Sequence, residues 1–131
     1  MTDSALTCYC DSGKLFSRCC KSIVSRQTTA TTAEALMRSR YTAFCLGDRQ
    51  YLLKSWHPDT RPSRVAINPD QQWLDLKILN TTAGRSSDET GKVEFRARYK
   101  LAGRGYRLHE TSRFIKIASD WYYLDGVHHG S

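Results

Sequence analysis

Four cysteines fall within one short stretch, Cys8, Cys10, Cys19 and Cys20, in a C-x-C-x8-C-C pattern. Two chemistries can hold such a cluster: disulfides or a metal ion. The opening residues, MTDSALTCYC, lack the basic segment and apolar run of an export signal. The chain is therefore expected in the reducing cytoplasm, where structural disulfides are rare. Any ordinary bridges would have to join the two pairs across Asp11–Ser17. Four thiolates on one ion instead make the closed tetrahedral arrangement of a structural zinc site, with no position left for a catalytic water. Gly13, within Asp11-Ser12-Gly13-Lys14, can supply the left-handed turn that sends the chain back. Lys14, Arg18 and Lys21 flank the thiols, lowering their pKa and offsetting the net negative charge of a zinc–tetrathiolate. The expectation is one structural Zn²⁺ on Cys8, Cys10, Cys19 and Cys20.

The run Cys8-Tyr9-Cys10-Asp11-Ser12-Gly13-Lys14, closed by Cys19-Cys20, resembles the SEC-C motif. That motif is the short zinc-binding module at the C-terminus of the bacterial preprotein translocase motor ATPase. Tyr9 stands where the motif has proline and Asp11 where it has glycine or cysteine, departures that touch loop stiffness rather than ligation. In the translocase the module docks on an export chaperone. The rest of this chain is unlike the translocase, so that partner is not carried over.

At 131 residues there is room for one ordinary domain beyond the cluster. No run approaches the roughly 18 apolar residues of a membrane span. Residues 22–30 are poor in large apolar side chains and read as a linker, with 1–21 as a zinc module that folds independently of the remaining chain. Thr31-x-x-Glu34 reads as a capping box opening a helix, with an apolar stripe at Ala33, Leu36, Met37, Tyr41, Phe44 and Cys45 that ends at Gly47. Asp48 caps a second helix carrying Tyr51, Leu52 and Trp56, which stops before Pro58. Cys45 sits on the buried stripe and reads as a free core thiol. From Trp73 the period becomes two, through Leu74–Ile78, Val93–Leu101, Arg107–Ile117 and Trp121–Leu124. Helices followed by hairpin-linked strands indicate an α+β domain over 31–126, an antiparallel sheet packed on helices. Residues 127–131 read as a frayed tail with solvent-exposed His128 and His129.

Ala33-Glu34-Ala35-Leu36-Met37-Arg38-Ser39-Arg40-Tyr41, Trp56-His57-Pro58, Leu108-His109-Glu110, Ser112-Arg113-Phe114 and Trp121-Tyr122-Tyr123-Leu124-Asp125-Gly126 resemble the YchJ-like bacterial proteins. The resemblance implies an N-terminal SEC-C module followed by a cone-shaped domain similar to nuclear transport factor 2 (cystatin-like), with a long helix on a curved sheet. Some members carry a second SEC-C module after the core, and this sequence shows none.

Three functions compete. In the first, the zinc module is a rigid basic surface for a protein partner with acidic groups. In the second, the cone encloses a small-molecule pocket or an active site, a reading that rests on analogy of fold. Its candidate residues are Trp56, His57 and Glu110. Glu110 shares strand parity with Leu108 and Phe114 and points inward, either as an acid or base or, the blander reading, paired with Arg40 or Arg98. His57 at a helix end suits a structural histidine better than a catalytic one, and nothing forces a second acid or nucleophile near either residue, so catalysis is not the favoured reading. In the third, Arg96, Arg98 and Lys100 on one strand face track phosphates of a nucleic acid, helped by the excess of 20 Lys and Arg over 13 Asp and Glu. No nucleic-acid motif accompanies that charge, and a solvated outer face is the simpler reading. The zinc-centred interaction protein is favoured.

Overall fold

The computed structural model describes residues 6–129. The cysteine loop leads through a 3-10 turn, Phe16–Arg18, into α1 (Cys20–Val24), then α2 (Ala33–Leu46) and α3 (Arg49–Lys54). Four strands come next, β1 (Gln72–Ala83), β2 (Thr90–Leu101), β3 (Arg104–Ile117) and β4 (Asp120–His128). They pair in chain order as an antiparallel meander. The α+β class and the four strands are those the periodicity indicates.

Period-two alternation decides what each strand buries. On β2, Val93, Phe95 and Ala97 face inward while Lys92, Glu94, Arg96 and Arg98 face out. Register shifts at Trp73/Asp75, Ile78/Asn80 and Arg113/Phe114 bend the sheet, because an extra residue on one strand of a pair forces a local kink. The concave face wraps α2, so Leu36, Met37 and Tyr41 pack with Leu76, Val93, Phe95, Phe114 and Trp121. Each large side chain removed from water here is worth about 1.5–3 kcal/mol before entropy is counted. A smaller cluster of Val24, Ala43, Tyr51, Leu52 and Val65 fills the other side of α2.

Helix α2 begins one residue later than the expected capping box. Thr32 Oγ1, not Thr31, accepts from the Ala35 amide at 3.0 Å. Glu34, freed from capping, accepts instead from Arg38 Nε at 2.9 Å. The β1–β2 hairpin sets the offset, since the Ala33 amide donates to the Gly84 carbonyl at 2.9 Å and anchors the first turn there. Asp48 caps α3 as read, accepting from the Tyr51 amide at 3.0 Å.

Three expectations fail. The cysteine loop is not an independent knuckle on a tether: Cys8, Cys10 and Cys20 belong to the same buried cluster as Leu36, Tyr41 and Val93. The segment after it starts as α1 and buries Val24 and Ala30, although large apolar side chains are scarce there. Nor is the C-terminus frayed, because Val127 and His128 complete β4 and the His129 amide donates to the His109 carbonyl at 2.8 Å. The rest of the expected tail, 130–131, lies outside the described residues.

Gly84, with φ of 75°, sits where the hairpin meets α2, and a Cβ there would lie 2.7 Å from the Ala33 Cβ. A β-branched residue suffers both the positive φ and the collision. Gly84→Val is expected to destabilise the fold by about 2–3 kcal/mol, read as a lower urea midpoint at unchanged slope.

Candidate metal centre and cavity

The cysteine loop is shaped by its own backbone. The Cys8 amide donates to the Lys14 carbonyl at 2.8 Å, closing a turn in which Asp11 and Gly13 both take positive φ, 61° and 83°. Aspartate tolerates that conformation better than most residues. Its carboxylate also accepts from the Leu76 amide at 3.2 Å, so the departure from the motif at this position ties the loop to β1. On the other side Arg38 Nη1 donates to the Cys10 carbonyl at 2.6 Å.

These constraints bring the four sulfurs together, all within 4.8 Å of one another. Sulfurs bound to a tetrahedral Zn²⁺ at about 2.3 Å lie about 3.8 Å apart. Cys10 and Cys19 are 3.6 Å apart and Cys19 and Cys20 3.9 Å. Those spacings suit ligands of one ion and are far from a bonded S–S pair at about 2.05 Å. Cys10 is fully buried and Cys8 and Cys20 nearly so, while Cys19 is half-buried. Hydrogen bonds from Cys10 and Cys20 hold the Cys8 thiol far below its ordinary pKa, and the same bonds push Cys20 far above it. Burial also pushes Cys19 up. The protons that Cys19 and Cys20 hold are ones a cation would displace.

Beside Cys19 and Cys20 lies an open groove of about 450 Å³ lined by Ser12, Lys14, Arg18, Glu34 and Arg38. Lys14 and Arg18 were legible as flanking charges. Arg38 was not, because 28 residues separate it from the Cys10 carbonyl it binds.

A second cavity, about 270 Å³, opens between α2 and the concave face, with Met37, Tyr41, Phe44, Trp73 and Leu108 among its walls. Trp56 and Glu110 both line it; His57 does not. His57 Nδ1 instead accepts from the Asp59 amide at 3.0 Å, while its own amide donates to the Tyr123 carbonyl at 2.8 Å. Glu110 pairs with neither Arg40 nor Arg98. It accepts from Ser112 Oγ at 2.8 Å and lies 3.3 Å from His128 Nε2. Arg98 is held by Asp75 on the outer face, with Nε to the carboxylate at 2.8 Å.

Sequence reasoning did not foresee what Arg40 does. Only 4% exposed, it donates through Nη1 to the Leu52 carbonyl at 2.8 Å and Ser55 Oγ at 2.7 Å. Its guanidinium carbon lies 4.5 Å from the Tyr123 ring centroid and 5.0 Å from that of Trp56. Burial pushes its pKa down to about 10, so it stays charged at neutral pH. Among the described residues no carboxylate forms an ion pair with it. Trp56 Nε1, on the same cavity wall, is buried without a hydrogen-bond partner.

The basic stripe is partly spent in pairs. Asp75 takes Arg98, Asp125 takes Arg113 with Nε to Oδ1 at 2.7 Å, and Lys116 donates to the Ser86 carbonyl at 2.7 Å. Cys45 packs against the main cluster, and burial pushes its thiol up to about 11. A shift of about two units leaves roughly a hundredth of the ordinary thiolate at pH 8. Cys45 should therefore alkylate at least about a hundredfold more slowly than a free thiol in the native state, as timed by mass spectrometry, and at the ordinary rate in denaturant.

Comparison with known proteins places this geometry in a family. The family described as "YchJ, middle NTF2-like domain" matches residues 32–126. A UPF0225 protein of Streptomyces coelicolor is 46% identical over 119 residues, covering 91% of this chain and 93% of the relative. The solution structure of a SEC-C motif containing protein from Rhodopseudomonas palustris superposes with a TM-score of 0.84 at 31% identity, covering 95% of this chain and 100% of that one. A SEC-C motif containing protein crystallised from Psychrobacter arcticus gives 0.78 at 28% identity, covering 100% and 87%. A SEC-C-type cysteine cluster ahead of a cone-shaped α+β domain, matched across nearly the whole chain, makes this protein a member of the YchJ-like family.

Proposed function

We propose that the chain is a cytoplasmic zinc-stapled interaction protein, with residues 1–21 as the docking loop, 22–30 as a bridging segment and 31–126 as the supporting cone. One Zn²⁺ on Cys8, Cys10, Cys19 and Cys20 is favoured by the sulfur spacing and by the softness of four thiolates. Among the described residues no helix is long and apolar enough to cross a membrane. The observation that carries the interaction reading is the groove beside Cys19 and Cys20, where Lys14, Arg18 and Arg38 face a single acid, Glu34. Leu6, Tyr9 and Leu15 on the same loop are exposed large apolar side chains. Cations beside exposed apolar groups suit an acidic protein segment that also carries hydrophobic residues. The stripe on β2 suits nucleic acid less well, since Arg98 is already paired.

Because the cysteine loop shares the core, metal removal should not act locally. Structural zinc supplies about 10–16 kcal/mol of apparent free energy in finger peptides. Chelation is expected to lower amide-exchange protection in α2 and β1 as well as in the loop, where a loss confined to the loop would show the two uncoupled. Elemental analysis should give one zinc per chain. Lys14→Glu with Arg18→Glu should keep zinc and fold yet lose proteins captured by the wild type from native lysate. Unchanged capture by that double variant would remove the groove from the interaction.

Arg40 favours a second reading, a pocket for a small organic acid. A buried cation without a carboxylate partner, beside an indole N–H without an acceptor, suits a ligand carboxylate set among aromatic walls. Benzoate is the simplest probe. Millimolar benzoate should shift the Trp56 and Trp73 indole resonances in the wild type but not in Arg40→Met; no shift in the wild type would remove this reading.

A further inference from the structure

We propose that Glu94, His109 and His129 form a second metal site, on the outer face of the sheet, for a divalent transition-metal ion taken by nitrogen and oxygen ligands. The strands assemble it. Glu94 on β2 pairs in register with Thr111, and His109 on β3 pairs with Arg96, so Glu94 and His109 are diagonal neighbours on the outward face. His129 comes directly after β4 and is fixed by the hydrogen bond its amide donates to the His109 carbonyl at 2.8 Å. Three ligands thus come from adjacent rungs of one sheet, a rigid frame for a metal site.

Distances support coordination. One ligand atom from each residue lies within 4.8 Å of the others, and His109 Nε2 is 2.7 Å from a Glu94 carboxylate oxygen. The His109 and His129 ring centroids are 4.4 Å apart. Nitrogen and oxygen ligands at about 2.1 Å from a tetrahedral ion sit about 3.4 Å apart, inside this range. The nitrogens that would ligate already face polar partners, His109 Nε2 a Glu94 carboxylate oxygen and His129 Nε2 the Thr111 hydroxyl, each 2.7 Å away. Binding exchanges those hydrogen bonds for coordination with small side-chain rotations.

The donor set separates this site from the cysteine cluster. Two imidazoles and a carboxylate suit Zn²⁺, Ni²⁺ or Co²⁺ and leave a fourth position for water or a group from another molecule. Four thiolates on a tetrahedral ion leave none. Arg96 and Lys92 flank Glu94 on the same strand face and oppose a dication, so they should weaken the site without abolishing it. His128 points to Glu110 instead and takes no part.

The test uses the full chain loaded with one equivalent of zinc at the cysteines. Titration with further Zn²⁺, followed by calorimetry and by histidine ring resonances, should show one additional equivalent at micromolar affinity with His109 and His129 both shifting. Glu94→Gln and His109→Ala should each weaken that equivalent about tenfold or more while leaving the first in place. Arg96→Gln should tighten it about threefold, and His128→Ala should leave it unchanged. Absence of a second equivalent at about 1 mM zinc, or a second equivalent that persists in His109→Ala or vanishes in His128→Ala, overturns the proposal.

Discussion

Packing of the cysteine loop against α2 and β1 governs much of the rest of the structure. A loop this short has no core of its own, so it must either be closed by a metal or borrow buried surface. This one borrows buried surface. Cys8, Cys10 and Cys20 lie among the core residues of the cone, and polar ties bind the loop at both sides: Arg38 to the Cys10 carbonyl and Asp11 to the Leu76 amide. Leu76 belongs to β1, an edge strand whose outer amides would otherwise face solvent. The loop therefore covers part of an edge while the edge holds the loop.

A basic groove is a consequence of the same packing. Arg38 is drawn toward the cysteines by a carbonyl and held from the other side by Glu34, which lifts its pKa despite the cost of burial. Its position beside Lys14 and Arg18 is thus fixed by the fold rather than by attraction to them, since like charges gathered in one place cost energy unless something else holds them. Surface lysines scattered over a sheet need no such anchor. A concentration of cations maintained by directed hydrogen bonds is a stronger basis for a recognition surface than net charge alone.

The cysteine cluster and the fold class were legible because each is written in local spacing. Two thiol pairs separated by a turn mark a cluster, and alternation from Trp73 onward specifies strands whose inward rows form one face. What escaped was everything decided across long sequence separations. Glu110 was placed inward correctly, but its partners, Ser112 on its own strand and His128 on the next, depend on where β4 ends. That end was misplaced because Val127 and two histidines look like a tail. In the fold Gly126 continues the strand, and a Cβ at that position would collide with the Glu110 carboxylate. The linker reading failed for a related reason: Val24 and Ala30 are small enough to pass as polar-segment filler, yet both are buried.

Helix α2 joins the two candidate sites mechanically. Residues two apart on a helix point to nearly opposite sides, about 200° around the axis. Arg38 accordingly reaches the cysteine loop while Arg40 reaches the aromatic cavity, and both are held by backbone carbonyls, of Cys10 and Leu52 respectively. Cys8 Sγ also meets the helix itself, 3.8 Å from Thr42 Oγ1, within the buried core. A rotation of α2 that loosened one arginine would therefore drag on the other. Packing of the cysteine loop restrains the helix from one side, and the Arg40 guanidinium lies against the Trp56 and Tyr123 rings on the other. The cysteine cluster and the cavity, far apart in chemistry, share one rigid element whose orientation neither can change alone.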